Sequence, residues 1–559
     1  MAERRMQGQP MIIMGDDAQR MKDKDAQEHN ISAARAVSDS VRTTLGPKGM
    51  DKMLVSSTGD VTITNDGVTI LQEMDIDDPT AEMIVEVAET QEDEAGDGTT
   101  TAVAVAGELL KEAQDLLEQD IHATAIIQGY NLASEKAREE VDEVSIDVDP
   151  DDESLVRSVA ETSMTGKGAE LDKDLLSGLI YQALQTVTID AEDGSTVVDL
   201  NDIELETQTG RQVSESELLS GAVVDKDPVH ENMPDSVEDA DVLLLNEAIE
   251  VEETETDTTV SVDSPDQLQQ FLEQEEKQLR EKADHIAEIG ADVVFCQKGI
   301  DDMAQHFLAK EGILAVRRSR KGDIEFLQDV LGASIVTDLE SATTEDLGTG
   351  SVTRDDADEL FYVEGNGDGA HGVTLLLRGA TDHVVDEVKR SVTDALDVAS
   401  QSLTDGRVLP GGGAIEVELA DRLRSYADGV EGREALAVES FADALELVPR
   451  VLASNAGLDS IDTLVELRAA HERDEERAGL NVFSGDIEDT FDAGIAEPAH
   501  AKEQALSSAS EAANLVLKID DIISAGDLST GGDEEEGGPG GMGGGMGGMG
   551  GMGGMGGAM

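Results

Sequence analysis

Residues 96–101 read Gly-Asp-Gly-Thr-Thr-Thr, and a run with Val103, Ala106, Leu110, Ala113 and Leu117 on one helical face follows at once. Glycines on either side of Asp97 let the backbone approach a ligand with no side chain in the way. The threonines open a helix whose first amides have no partner inside it, a seat for phosphate at the positive end. A carboxylate beside phosphate is repelled unless a hard divalent cation lies between them. Mg²⁺ takes one or two carboxylates together with substrate phosphates. The local reading is a Mg·nucleotide site.

A chain of 559 residues has room for about three domains. Its formal net charge of −83 repels nucleic acid and anionic membranes, so neither is expected as a partner. High charge can signal disorder, yet 39% of the residues are hydrophobic and fall in periodic runs, so most of the chain should fold. A cytoplasm of molar salt reconciles the two, because at about 1 M the screening length shrinks to about 3 Å. A halophilic, archaeal source is the expectation.

The one cysteine, Cys296, lies in the apolar run Val293–Cys296 and reads as a buried structural thiol, with no disulfide or thiolate metal cluster open to it. No run reaches the roughly 20 apolar residues of a membrane span, and Met11–Met14 is too short for a signal-peptide core. A cytoplasmic location follows.

Along the chain, Ile31, Ala34, Val37, Val41 and Leu45 predict a helix from Asn30 to Leu45, ended by Gly46-Pro47. Leu54–Ser56 and Val61–Thr64 predict a hairpin. The acidic stretch Asp147–Glu153 has calcium-loop spacing but Asp152 and Ser158 where glycine and glutamate are required, so it reads as a solvated connector. Short β-rich runs then alternate with helices over 218–370, as in an α/β domain. Ser264-Pro265-Asp266-Gln267 starts a highly charged helix to about Ile289, with Leu268, Phe271, Leu272, Leu279 and Ile286 on one side; it is expected to project from its domain. Gly367–Gly372 fits G-x-G-x-x-G, but a strand-like Val373–Leu377 follows where a helix is required, so it is rejected as a cofactor site. The tail from Gly531 is Gly/Met-rich and expected to be disordered.

Asp66, in Thr64-Asn65-Asp66-Gly67, repeats the glycine-bounded acid, and Asp394 stands far downstream. Hydrolysis of a nucleotide needs a metal on the phosphates and a polar group placing the attacking water, which two or three carboxylates can supply. Taken singly, each is more often a turn former or a solvated charge, since the chain holds 123 acidic residues. No P-loop is present (Gly166-Lys167-Gly168 resembles only its end), and the kinase signatures are missing.

Thr44–Met53, Thr64–Gly67, Gly96–Thr101 and Gly411–Ala414, in this order, closely resemble the chaperonin signatures. Met50-Asp51-Lys52-Met53, Met164–Gly168 and Cys296–Asp302 are similar to the group II branch, and the resemblance spans about 15–528. It implies a multidomain α+β subunit: a mainly α-helical equatorial domain (1–148 and 406–528), a small α/β intermediate domain (149–217 and 371–405), an α/β apical domain (218–370) with a helical protrusion at about 246–289, and a tail over 529–559. By motif, Leu45, Gly46 and Pro47 resemble the loop over the phosphates, Asp97 the Mg²⁺ ligand, and Gly98, Thr99, Thr100 and Thr101 the phosphate cradle. Asp66 and Asp394 match the residues that place and activate water, Lys167 the sensor of the γ-phosphate, and Gly412, Asn481 and Glu497 the base and ribose positions. Pro410 departs from the small residue usual before the glycine triplet.

The function implied is an ATP- and Mg²⁺-dependent chaperone that encloses non-native polypeptides in stacked rings of identical or paralogous subunits. The alternatives are a ring scaffold with a vestigial ATPase and, more distantly, a soluble phosphotransferase.

Overall fold

The computed structural model describes residues 20–523, apart from 23, 57, 58, 60, 167–171, 191–195, 252–264, 356 and 367–370. Three large hydrophobic cores organise them into a multidomain α+β architecture.

The first core joins the two ends of the chain. Helix Thr99–Glu118 runs through its middle, and small residues make that possible: Ala102–Ala106, Leu109, Leu110, Ala113 and Leu116 are buried together. At Gly107 a β-carbon would lie 2.2 Å from the Ser38 hydroxyl, so helix Lys24–Val41 crosses there against bare backbone. Helices Pro79–Ala95, Ala123–Val144, Glu434–Leu445 and Ala499–Lys518 complete the packing. Tyr130 donates its hydroxyl to the Leu109 carbonyl at 2.7 Å and meets the Phe441 ring edge-on.

The middle core, from Ala222 to Val363, surrounds a seven-stranded mixed sheet. Strands Ser236–Leu245, Val293–Cys296 and Leu314–Arg317 run parallel, and Val293–Cys296 is buried throughout, which is why it reads as a continuous apolar run. The third core lies between the other two. It packs helices Glu153–Met164, Lys173–Val187 and Asp382–Asp405 around the sheet whose central strand is Val373–Gly379.

Four local readings meet the structure directly. The first helix starts earlier than expected and stops at Val41; Arg42–Thr44 tighten into a 3-10 turn, with Thr44 Oγ1 donating to the Val41 carbonyl. The hairpin forms as Lys52–Val55 with Val61–Thr64, and leaves Met53, Val55, Val61 and Ile63 exposed. The charged helix Pro265–Glu288 does not project over its whole length: Leu279, Ala283 and Ile286 are buried in the middle core, while Phe271 and Leu272 stand in solvent. Both halves carry large apolar residues, so the division follows from how far the middle core reaches along the helix rather than from its apolar pattern. Cys296 is buried, donates to the Glu247 carbonyl at 3.2 Å, and burial pushes its thiol up to about 11, a structural group rather than a nucleophile. The glycines of 367–370 lie outside the described residues; strand Val373–Gly379 follows them. Among the described residues no helix is long and apolar enough to cross a membrane.

Candidate nucleotide site

Helix Pro79–Ala95 ends at Gly96 and helix Thr99–Glu118 begins at Gly98, both glycines at positive φ (60° and 80°), with Asp97 alone between them. No side chain caps the second helix, so its opening amides face outward. Gln91, fully buried, fixes this turn: its Nε2 donates to the Asp97 carbonyl at 2.7 Å and to the Ala501 carbonyl at 3.1 Å.

The turn forms one wall of a cavity of about 350 Å³ into which four other loops converge. Leu45, Gly46 and Pro47 form one. Asn455 holds the Leu45 carbonyl at 2.9 Å, and Gly46 at φ 78° has no room for a side chain against Leu452. Asp66 and Gly67 form the next. A β-carbon at Gly67 would meet Thr100 Oγ1 at 2.5 Å, so this loop is moulded to the threonines. Gly412 at φ 67° lies against the Leu480 backbone, and Asn481 follows on the same wall. Glu497 lies on strand Ala496–Pro498, which pairs with Arg407–Pro410; Pro410 is accommodated as the last residue of that pairing.

The cavity wall thus gathers Leu45, Gly46, Pro47, Asp66, Asp97, Gly98, Thr99, Thr100, Thr101, Gly412, Asn481 and Glu497. Two of the expected residues are not among these. Lys167 lies outside the described residues, although its neighbour Gly166 lines the cavity and is tied to the Asn65 side chain at 3.1 Å. Asp394, half-buried on helix Asp382–Asp405, is not part of the wall. The same helix touches the turn one helical turn later, where Asp397 sits against Gly96. Burial, and then the Asp394 charge, hold the Asp397 carboxyl above the usual aspartate range.

Two wall residues also build the local fold. Asp66 caps helix Gly67–Gln72, its Oδ2 accepting from the Thr69 amide at 2.8 Å and the Thr69 hydroxyl at 2.6 Å, so any contact to a ligand falls to Oδ1. Asn481 Oδ1 accepts from the amides of Phe483 and Ser484, shaping its own loop.

Other charged groups at the cavity carry no signal in the sequence. Lys502, buried in the wall, bridges Glu416 and Glu497. At the rim Lys48 lies 4.4 Å from the centre of the Phe483 ring, and Lys173 lies 6.0 Å from it while donating to Thr165 Oγ1. In a chain with 40 basic residues against 123 acidic ones, two lysines at one rim mark a place that tolerates anions. Unpaired helix amides, a carboxylate beside them and a glycine-lined wall fit a metal-bound polyphosphate.

This arrangement, a helical base holding the cavity and joined through a small α/β body to a sheet-centred one, is that of a chaperonin. The model of the TCP-1/cpn60 chaperonin family matches residues 37–527, and the chain belongs to that family. It is 76% identical over 529 residues to thermosome subunit beta of Halobacterium salinarum, covering 94% of this chain and 95% of that one. To thermosome subunit 2 of Haloferax volcanii it is 73% identical over 542 residues, covering 97% of each. Among solved structures it is similar to the open-state monomer of a group II chaperonin from Methanococcoides burtonii, with a TM-score of 0.60 and 42% identity over 76% of this chain and all of that one. The chain is accordingly a group II chaperonin of the halophilic archaeal kind, an ATP-dependent molecular chaperone.

Proposed function

We propose that the cavity binds Mg·ATP and hydrolyses it slowly, and that this cycle times the capture and enclosure of non-native polypeptide. The observation that carries the reading is the convergence of loops from residues 44–47, 65–67, 97–101, 412 and 480–497 on one set of unpaired helix amides. Bound Mg·ATP supplies the phosphoryl group and the charge of the metal. Asp97 would hold the metal, Thr99, Thr100 and Thr101 would bind phosphate through their amides, and Leu45, Gly46 and Pro47 would cover it. Gly412, Asn481 and Glu497 would line the base and sugar, and Lys167 would sense the terminal phosphate.

Asp394 is read as the group that accepts the proton of the attacking water, with Asp66 Oδ1 helping to place it. Because Asp394 stands outside the wall, the helix that carries it must swing toward the cavity before hydrolysis, which makes turnover wait on a conformational step. We take the three moving bodies to be 1–148 with 406–528, 149–217 with 371–405, and 218–370. The last carries the lid segment at about 246–289, whose exposed Phe271 and Leu272 suit contact with unfolded chains.

Assembly into stacked rings is supported by the exposed apolar hairpin at Lys52–Thr64, a surface that a neighbouring subunit would cover. The relatives' names, a subunit beta and a subunit 2, favour rings that include paralogous subunits. A net charge of −83 suits the cytoplasm of a halophile. ATP turnover and ATP-dependent refolding of a denatured client by assembled particles in molar KCl test the reading. Particles that refold the client without nucleotide, or bind none, would contradict it.

A further inference from the structure

Lys502 is a buried cation whose partners are both acidic. Its side chain is 8% exposed, and its Nζ lies 2.5 Å from Glu416 Oε1 and 2.8 Å from Glu497 Oε2. Glu416, two residues into helix Ala414–Ala427 just after the glycine triplet, is 2% exposed, and its Oε2 has no hydrogen-bond partner among the described residues. Burial works against the Lys502 charge, yet the two carboxylates hold its pKa above the ordinary lysine range. A single carboxylate would neutralise a buried ammonium. The second one, Glu497, reaches the cavity.

Glu497 is held on one side, by Lys502, and lies beside the bare backbone of Gly411 on the other. One oxygen is on Lys502, and the other lies where a β-carbon at Gly411 would come within 2.9 Å. A carboxylate fixed in this way accepts hydrogen bonds and donates none, so the ligand groups that suit it are hydroxyls. We infer that Lys502, anchored by Glu416, is a positioning residue that aims Glu497 at the vicinal hydroxyls of the nucleotide sugar and so sets the preference for a ribonucleotide. The inference rests on the reading of the cavity as an ATP site. It adds to that reading a selectivity and the two residues that produce it.

The test compares equilibrium binding of ATP and 2′,3′-dideoxy-ATP to the full-length, assembled protein in molar KCl. A hydrogen bond to a charged group corresponds to a preference of about tenfold or more for ATP in the wild type. Lys502→Met should weaken ATP about tenfold, leave dideoxy-ATP within about twofold, and so abolish the preference. Lys502→Arg should restore most of it. A lysine that bound phosphate, or merely held the fold, would weaken both nucleotides alike. If the methionine variant does not assemble, Glu416→Gln keeps the shape of the anchor and should lower the ATP preference several-fold, leaving dideoxy-ATP unchanged. A folded variant of either kind that retains the wild-type preference overturns the inference. A wild type that binds neither nucleotide overturns the ATP reading instead.

Discussion

Asp397 rests against Gly96: a β-carbon at position 96 would stand 3.3 Å from the β-carbon of Asp397. The first belongs to the helix that also carries Asp394, the second to the turn that presents Asp97. Movement of that helix is therefore felt at the turn without passing through solvent. The contact brings Asp397 to the turn, while Asp394 on the same helix is not among the residues lining the cavity.

Gly96→Ala tests the fit. Gly96 has φ 60°, where an alanine costs about 1–2 kcal/mol, and the new methyl would press on Asp397. Thermal unfolding in molar KCl should show a destabilisation of at least that size. An unchanged midpoint would mean that the turn relaxes freely and transmits nothing.

A pH dependence is expected where the middle and third cores meet. Glu204, on strand Ile203–Thr209, faces Glu206 on its own strand and Asp323 in helix Lys321–Leu331, with Arg320 and Lys389 as the nearby cations. Burial first, and then the two carboxylates, push its pKa from 4.5 to about 8. The folded state therefore binds a proton that the unfolded chain releases. The stability tied to that proton is present below about 4.5 and is lost as pH rises through about 8. Glu204→Gln should melt like the wild type near pH 5 and above it at pH 8.5. Parallel melting curves across this range would remove Glu204 from the account.

Salt sets the third expectation. With a net charge of −83, lowering the ionic strength from about 1 M to 0.01 M lengthens screening from about 3 Å to about 30 Å and exposes the carboxylates to one another. Circular dichroism and sedimentation should show dissociation and substantial unfolding on dialysis. Full stability in dilute buffer would contradict the halophilic reading of the charge.

The parts of the site legible in the sequence are those written locally. Gly96–Thr101 declares its turn because two positive-φ glycines and a helix start stand within six residues, and Gly46 and Gly412 likewise mark tight backbone. What could not be read is what distance in the chain conceals. Gln91 meets Ala501 across 410 positions and Lys502 meets Glu416 across 86, and nothing in either neighbourhood announces the other. Among 123 acidic residues Glu416 is anonymous until burial singles it out. Asp66 shows a different limit: turn former and cavity carboxylate are not exclusive, because the residue caps a helix with one oxygen and lines the cavity as well. Helix Pro265–Glu288 divides in the same way, since an average over its length hides the buried Leu279, Ala283 and Ile286 behind the exposed Phe271 and Leu272.

The central claim is that hydrolysis waits for Asp394, and single-turnover kinetics on Asp394→Ala particles in molar KCl with Mg·ATP test it most directly. Binding should stay within about threefold of the wild type, while the hydrolysis rate falls by about 100-fold or more, the usual range for loss of a positioned proton acceptor. Turnover within a few-fold of the wild type, with binding intact, would contradict the account.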